Sequence, residues 1–203
     1  MIRARQPVSR RAASNLLIVV GALFLVAGAA SIARGAIARD AARSEWEELE
    51  AGRAVTGARK TLGIGGTWTA ARGTPVARLV IPRLDLDEVV VEGVGDDELR
   101  GGPGHMTGSA RPGASGNAVI SAHRDRHFRS LGRLAVGDTI LTESDGGRVA
   151  WTVARIRVVN AEAPVLRTSV TPVLTLTTCW PIRFFGSAPD RLIVEATPTS
   201  RLN

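Results

Sequence analysis

Residues 12–33 of this 203-residue chain contain no charged side chain, and this stretch most limits what the chain can fold into. Only Ser14, Asn15 and Ser31 interrupt its apolar character. At about 1.5 Å per residue, a helix of this length spans roughly 33 Å, enough to cross a hydrocarbon core of about 30 Å. A buried core helix rarely lacks a polar face. The sequence therefore predicts a transmembrane helix over residues 12–33.

The basic residues that precede this stretch predict how it is oriented. Four arginines lie before it, at positions 3, 5, 10 and 11. Because basic flanks tend to stay in the cytoplasm, residues 1–11 are expected to form a cytoplasmic tail and the rest of the chain to lie outside. A secretory signal starts in the same way, with a shorter apolar region of about 7–15 residues. Small residues at Ala29, Ser31 and Ala33 leave cleavage open as the alternative.

The positive charge of the chain belongs mainly to its N-terminal part. The formal net charge is +7, of which residues 1–74 carry +6 and residues 75–203 carry +1. A nucleic-acid-binding domain would concentrate its basic residues in the folded part, so this distribution argues against a nucleic-acid partner. A single cysteine also excludes an internal disulfide framework and any multi-cysteine metal site.

The remaining sequence divides into a connecting segment and a β-rich domain. Residues 34–74 are expected to form an extracytoplasmic stalk, with a polar helix over 40–54 followed by Gly- and Thr-rich sequence. Residues 75–203 are expected to form the folded domain. Short apolar or alternating runs separated by Gly and Pro predict strands at 76–81, 86–91, 118–122, 138–142, 149–159, 173–178 and 192–196. This number of strands suits a sandwich or a closed barrel, and periodicity does not choose between them.

The lone cysteine is a candidate nucleophile. Cys179 ends the run 174–178, and Trp180-Pro181 stops that strand. Thiolate is the nucleophilic form of cysteine, and a cysteine at a strand end can present its sulfur at a rim. A buried structural cysteine is the alternative. An unpaired thiol in an exported domain calls for a chemical explanation.

Two histidines lie just after another predicted strand. His123 follows the run 118–122 and opens a polar loop, where an imidazole can act as general acid or base. A solvated loop histidine is the alternative. His127 lies four residues on, so a zinc site formed by His123, His127 and Cys179 also stays open.

An arginine begins the last predicted strand. Arg191 precedes Leu192-Ile193-Val194, and an arginine facing a cleft can donate several hydrogen bonds to a developing oxyanion. A surface charge flanking a strand is the alternative. Elsewhere, the Gly-rich segment 101–105 lacks the Lys-Ser/Thr pair of a phosphate-binding loop, and segment 113–116 lacks the spacing of a serine-hydrolase elbow.

Three motifs together resemble one known family. Gly102-Pro103-Gly104-His105, Gly113-x-x-Gly116-Asn117 and His123-Arg124-Asp125 resemble the central segment of sortases, and residues 175–181, TLTTCWP, resemble the sortase TLxTC motif. Residues 186–194, GSAPDRLIV, resemble the segment that carries the family arginine. The motifs occur in the family order over residues 76–196 and are most similar to class D sortases.

The resemblance implies both a fold and a reaction. It implies a closed eight-stranded β-barrel with short helices and a cysteine transpeptidase in the bacterial plasma membrane. Cys179 would be the nucleophile, His123 the general acid/base and Arg191 the residue that stabilises substrate and oxyanion. The implied substrates are secreted proteins with an LPxTG-like C-terminal sorting signal. The acceptor is a cell-wall peptide amine or a pilin lysine, and no metal or organic cofactor is required.

Two other functions remain open on the same residues. A cysteine hydrolase would use water in place of the amine acceptor. A non-catalytic, membrane-tethered barrel would bind peptides without cleaving them and would hold an unreactive Cys179.

Overall fold

A computed structural model describes residues 10–56 and 70–202 of the chain. The N-terminal tail over residues 1–9 and the stalk segment 57–69 lie outside the described residues. The first element is a single helix, α1 (Arg10–Thr56), of 47 residues. It is long and apolar enough to cross a membrane, and none of its most apolar window is buried within the protein. The predicted transmembrane helix and the predicted polar helix are thus parts of one continuous helix.

After this helix in the chain, eight strands form a closed barrel. They are β1 (Pro75–Ile81), β2 (Leu86–Glu92), β3 (Gly104–His105), β4 (Asn117–Ser121), β5 (Thr139–Ser144), β6 (Gly147–Asn160), β7 (Val173–Trp180) and β8 (Asp190–Leu202). One short helix, α2 (Asp96–Gly101), follows β2. The order around the barrel is β1-β2-β3-β4-β7-β8-β6-β5. This settles the choice between sandwich and barrel in favour of the barrel.

Local sequence explains how the strands turn and bend. A 3-10 turn over Pro82–Leu84 joins β1 to β2, and Asp85 takes a left-handed conformation with φ 51°. Strand β6 pairs with β5 over its first half and with β8 along its length, and two register shifts let it bend. Val149, Trp151 and Val153 point into the core, as their alternation predicts.

Seven of the eight strands coincide with the predicted runs, each within two residues except at the longer end of β8. Strand β3 was not predicted from the sequence. This strand has two residues, pairs in parallel with β2 and antiparallel with β4, and lies within the Gly-rich segment. It closes the gap between β2 and β4, so the barrel depends on it.

Candidate active site

The three residues that the sequence singled out lie on β7, on β8 and just beyond the carboxyl end of β4. Strands β4 and β7 are parallel, with Ser121 opposite Thr177. The pairing continues past the end of β4, because the Ala122 amide donates to Thr177 O at 3.3 Å and Thr178 Oγ1 donates to Ala122 O at 2.7 Å. His123 therefore lies level with Cys179.

Arg191 lies on the other side of the cysteine; we call His123, Cys179 and Arg191 the active-site row. In the antiparallel pair β7·β8, Cys179 lies directly opposite Arg191. Cα atoms of such pairs are about 4.5–5.5 Å apart. The structure thus places His123, Cys179 and Arg191 side by side, in the order histidine, cysteine, arginine.

All three side chains belong to the outer face of the barrel. Leu174 and Leu176 point into the core, so strand alternation turns Cys179 to the opposite face. Val119 and Ile193 have the same strand parity as the three site residues, and they form a small apolar cluster with Val165 of the β6–β7 connection on that face. Cys179 is exposed, which excludes the buried structural cysteine, while His123 and Arg191 are half-buried.

A cavity of about 340 Å³ lies on this face beside Arg191. Met106 and the β6–β7 connection line it, chiefly Ala161, Pro164, Val165 and Leu166. Arg191 Nε donates to Ala161 O at 2.9 Å, which fixes the guanidinium at the edge of the cavity. An extended peptide in this cavity would contact the apolar β6–β7 connection first, then Arg191 and then the exposed sulfur of Cys179.

A second cleft, of about 270 Å³, opens on the other side of the histidine. Its lining is polar and comprises Asp96, Arg100, His123, Asp125 and Arg126. His123 is thus accessible from a side away from the apolar cavity. The row therefore has two approaches, one at the arginine and one at the histidine.

Arg124 is a site residue to which the sequence assigned no role. Its Nη1 donates to Pro181 O at 3.1 Å, and its Nη2 donates to Phe184 O at 3.1 Å and Gly186 O at 2.7 Å. The guanidinium also lies over the Phe184 ring, 5.7 Å from its centroid. We call residues 122–130 the histidine loop and residues 181–189 the β7–β8 loop. Arg124 ties them together directly beside His123 and just beyond Cys179.

A buried polar cluster supports the groove from below. His105 is fully buried; its Nδ1 is 2.7 Å from Glu92 Oε2 and its Nε2 is 2.9 Å from Ala110 O. Ser109 Oγ also lies 2.9 Å from Nε2, so both ring nitrogens have polar partners. Thr107 Oγ1 donates to Glu92 Oε1 at 2.7 Å. Glu92 ends the apolar strand β2. A carboxylate at such a position is the feature of the sequence that could have indicated a buried partner.

His127 points away from the row. Its Nδ1 is 3.3 Å from Glu88 Oε1, and Glu88 also accepts a bidentate bond from Arg39 of α1. Over residues 10–56 and 70–202, no group of three or more His, Cys, Asp and Glu side chains is arranged to hold a metal ion. The zinc alternative built on His127 therefore finds no support in this arrangement.

Comparisons with known proteins agree with this geometry. A family model described as the Sortase domain matches residues 79–199. Sortase D of Bacillus subtilis is 33% identical over 118 residues, which are 57% of this chain and 60% of that relative. The chain thus spans less than two thirds of the curated relative that it matches.

Solved structures give the same result. The catalytic domain of B. anthracis SrtD is 33% identical, with a TM-score of 0.56 over 68% of this chain and 95% of that one. A Clostridium perfringens Sortase D5 transpeptidase has a TM-score of 0.62 at 23% identity, over 83% of this chain and 99% of that one, and shares the fold. Clostridium perfringens sortase C, solved with the C-terminal cell wall sorting motif, is 26% identical with a TM-score of 0.58, over 64% and 73% of the two chains.

Proposed function

The chain belongs to the sortase family, and from that premise we propose that it is a membrane-anchored cysteine transpeptidase. It cleaves an LPxTG-like C-terminal sorting signal and transfers the protein to an amine, either of a cell-wall peptide or of a pilin lysine. One observation carries the proposal: Cys179 on β7 and Arg191 on β8 lie opposite each other, and His123 lies level with Cys179 just beyond the end of β4. A nucleophile, a proton carrier and a cation therefore share one exposed face.

The first half-reaction uses all three residues. The Cys179 sulfur, as thiolate, attacks the carbonyl carbon of the threonine in the sorting signal. Arg191 lies opposite Cys179 and stabilises the negative charge that develops on the carbonyl oxygen. The peptide bond then breaks, His123 donates a proton to the departing amine, and an acyl thioester remains on Cys179.

The second half-reaction reverses the proton transfer. An amine attacks the thioester carbonyl, and His123 accepts a proton from its nitrogen. The carbon–sulfur bond breaks, which returns Cys179 to its starting form and joins the two proteins by an amide bond. We assign the approach of this nucleophile to the polar cleft that His123 lines.

The apolar part of α1 supports the membrane anchor. We assign residues 12–33 to the span, residues 1–11 to the cytoplasm, residues 34–74 to a connecting segment and residues 75–203 to the extracytoplasmic catalytic domain. The exposure of the apolar window is what supports the span, because an uncovered helix of this kind needs lipid around it.

The test is a reaction of the detergent-solubilised chain with an LPxTG-like peptide and a peptide amine, read by mass spectrometry. We expect a thioester adduct on the parent enzyme, no adduct on Cys179→Ala, and amide product only when the amine is present. Arg129→Ala, an exposed arginine in the histidine loop, serves as the matched control and should retain activity.

Two outcomes separate the other readings. Hydrolysed peptide with no ligated product at any amine concentration would identify a cysteine hydrolase. A Cys179 that stays unmodified by a thiol-directed sorting-peptide probe, with no turnover, would identify a non-catalytic binding barrel. Normal turnover by Cys179→Ala would contradict the mechanism itself.

A further inference from the structure

The helix that enters the membrane also packs along the outside of the barrel. Gly35 is buried, and a Cβ atom there would lie 2.9 Å from Arg100 O of α2 and 3.1 Å from Arg126 Nη1. Four residues on, Arg39 donates to Glu88 of β2 at 2.6 and 3.0 Å. Among the described residues, this contact begins only two residues after the apolar stretch ends, and α1 is continuous between the two.

Further along α1, the contacts move to the opposite end of the barrel. Trp46 is 2% exposed, so this side of α1 is covered. Glu50 interacts with Glu143 and Arg148, which flank the β5–β6 hairpin turn. From Gly35 to Glu50 the helix rises about 22 Å. The hairpin turn is therefore the end of the barrel remote from the span.

The active-site row lies at the near end. Arg126, which meets Gly35, belongs to the histidine loop that directly follows the carboxyl end of β4. Because β7 is parallel to β4, the carboxyl end of β7 with Cys179 lies at the same end. The barrel end that carries His123 and Cys179 thus faces the part of α1 that runs into the bilayer.

The β7–β8 loop projects from this same end and exposes aromatic side chains. Phe185 is 103% exposed and Phe184 is 49% exposed. The loop is held in place, because Arg124 binds the carbonyls of residues 181, 184 and 186. A large apolar side chain presented by a fixed loop marks an interaction site.

The charges around these aromatic residues suit a lipid surface. The histidine loop and the β7–β8 loop together contain four arginines and one aspartate: Arg124, Arg126, Arg129, Arg183 and Asp125. Basic residues beside exposed aromatic side chains fit the interface of a membrane with anionic lipids. The adjacent α1 makes this surface continuous with the proposed anchor.

We propose that the tip of the β7–β8 loop, with Phe185 at its centre, contacts the bilayer interface, so that the active-site row opens at the membrane surface. This inference rests on the membrane anchor in the proposed function. A sorting signal held at the membrane would then meet Cys179 without the substrate leaving the interface. The bilayer, and not a soluble partner, is the occupant that the position of α1 favours.

The test measures depth in the bilayer with the full chain. Cysteine is introduced singly at three positions in a Cys179→Ala background: Phe185→Cys, Phe24→Cys in the apolar stretch and Gly146→Cys in the β5–β6 turn. Each variant carries a nitroxide label in vesicles of phosphatidylcholine and phosphatidylglycerol. Accessibility to oxygen and to a water-soluble nickel chelate reports the depth. We expect position 24 in the hydrocarbon, position 185 at the interface and position 146 in water.

The same measurement distinguishes failure of the inference from failure of the anchor. A label at position 185 as water-accessible as that at 146, with position 24 in the hydrocarbon, overturns the membrane contact and leaves the proposed function intact. A label at position 24 that is accessible from water refutes the anchor and the inference together. The reaction with soluble peptide still tests the transpeptidase chemistry in that case.

A kinetic comparison tests whether Phe185 binds peptide instead of lipid. For Phe185→Ser we expect unchanged turnover of a soluble sorting peptide. Turnover of the same peptide anchored in vesicles should fall roughly tenfold, because an apolar contact with lipid is lost. An equal fall on both substrates would identify Phe185 as a peptide contact and overturn the inference.

Discussion

Replacing Arg124 with alanine should slow the reaction without unfolding the barrel. Its three hydrogen bonds connect the loop after His123 to the loop after Cys179. Once they are lost, the β7–β8 loop is free to move, and the distance between the imidazole and the sulfur is no longer fixed. Arg124 is thus a positioning residue, and its effect should appear in the chemical step.

The magnitude follows from the exposure of the three bonds. A hydrogen bond to a charged group contributes about 1.5–3 kcal/mol when it is buried. The bond to Pro181 O is part-buried and those to Phe184 O and Gly186 O are exposed, so water competes for all three acceptors. With about 0.5–1 kcal/mol for each bond after this discount, the loss totals about 2 kcal/mol. That corresponds to roughly a 30-fold fall in kcat/KM.

The assay is steady-state ligation of a soluble sorting peptide, with kcat and KM determined separately. Arg124→Ala should lower kcat and leave KM near the parent value. Arg124→Lys keeps the charge but loses the planar fork, so it should recover only part of the rate. Arg129→Ala is the matched control, and the unfolding temperature of each variant confirms that the barrel is intact.

Three results would refute this reasoning. Full activity in Arg124→Ala would show that the loops hold their positions without these bonds. Full recovery by lysine, together with a shifted pH profile in the alanine variant, would show that the charge acts on His123 electrostatically. A rise in KM alone would show that the β7–β8 loop binds the peptide.

Two further predictions concern stability. Glu92→Ala leaves the buried His105 without its carboxylate and should lower the free energy of unfolding by about 3–5 kcal/mol, with Glu92→Gln costing less, as measured by urea unfolding. The bond from Arg78 lowers the pKa of Asp87 below its ordinary 3.8. A depressed carboxyl pKa stabilises the fold above the unfolded value and is lost as the pH falls through the folded one. Arg78→Gln should therefore destabilise the protein by under about 1 kcal/mol at pH 7, and by progressively less as the pH falls below 3.8 and through the folded pKa; an effect that stays constant over this range would contradict the ion pair.

Strand positions were predictable because apolar alternation has a short period. The run at Val149, Trp151 and Val153 fixes which face of β6 is buried. Strand β3 was not predictable in this way, since two residues cannot show a period. Its pairing comes from the tight approach of Gly104 to Gly93, where no side chain fits.

The candidate site was predictable in its residues but not in its arrangement. Strand ends marked His123, Cys179 and Arg191 as candidates, whereas their common row depends on the parallel register of β4 and β7. Register joins segments more than fifty residues apart, and no local pattern records it. The role of Arg124 could not be predicted for the same reason, because its partners are carbonyls 57–62 residues away.

The continuous helix α1 connects the proposed anchor rigidly to the barrel. The sequence predicted a stalk over residues 34–74, with a polar helix over 40–54 that was separate from the transmembrane helix. The helix instead runs unbroken to Thr56, and Gly35 and Ala38 meet α2 closely enough that an added Cβ at Gly35 or Gly101 would clash. Arg39 and Arg43 then add contacts to β2. Because these contacts fix the barrel against α1, the proposed anchor would also determine which end of the barrel faces the membrane.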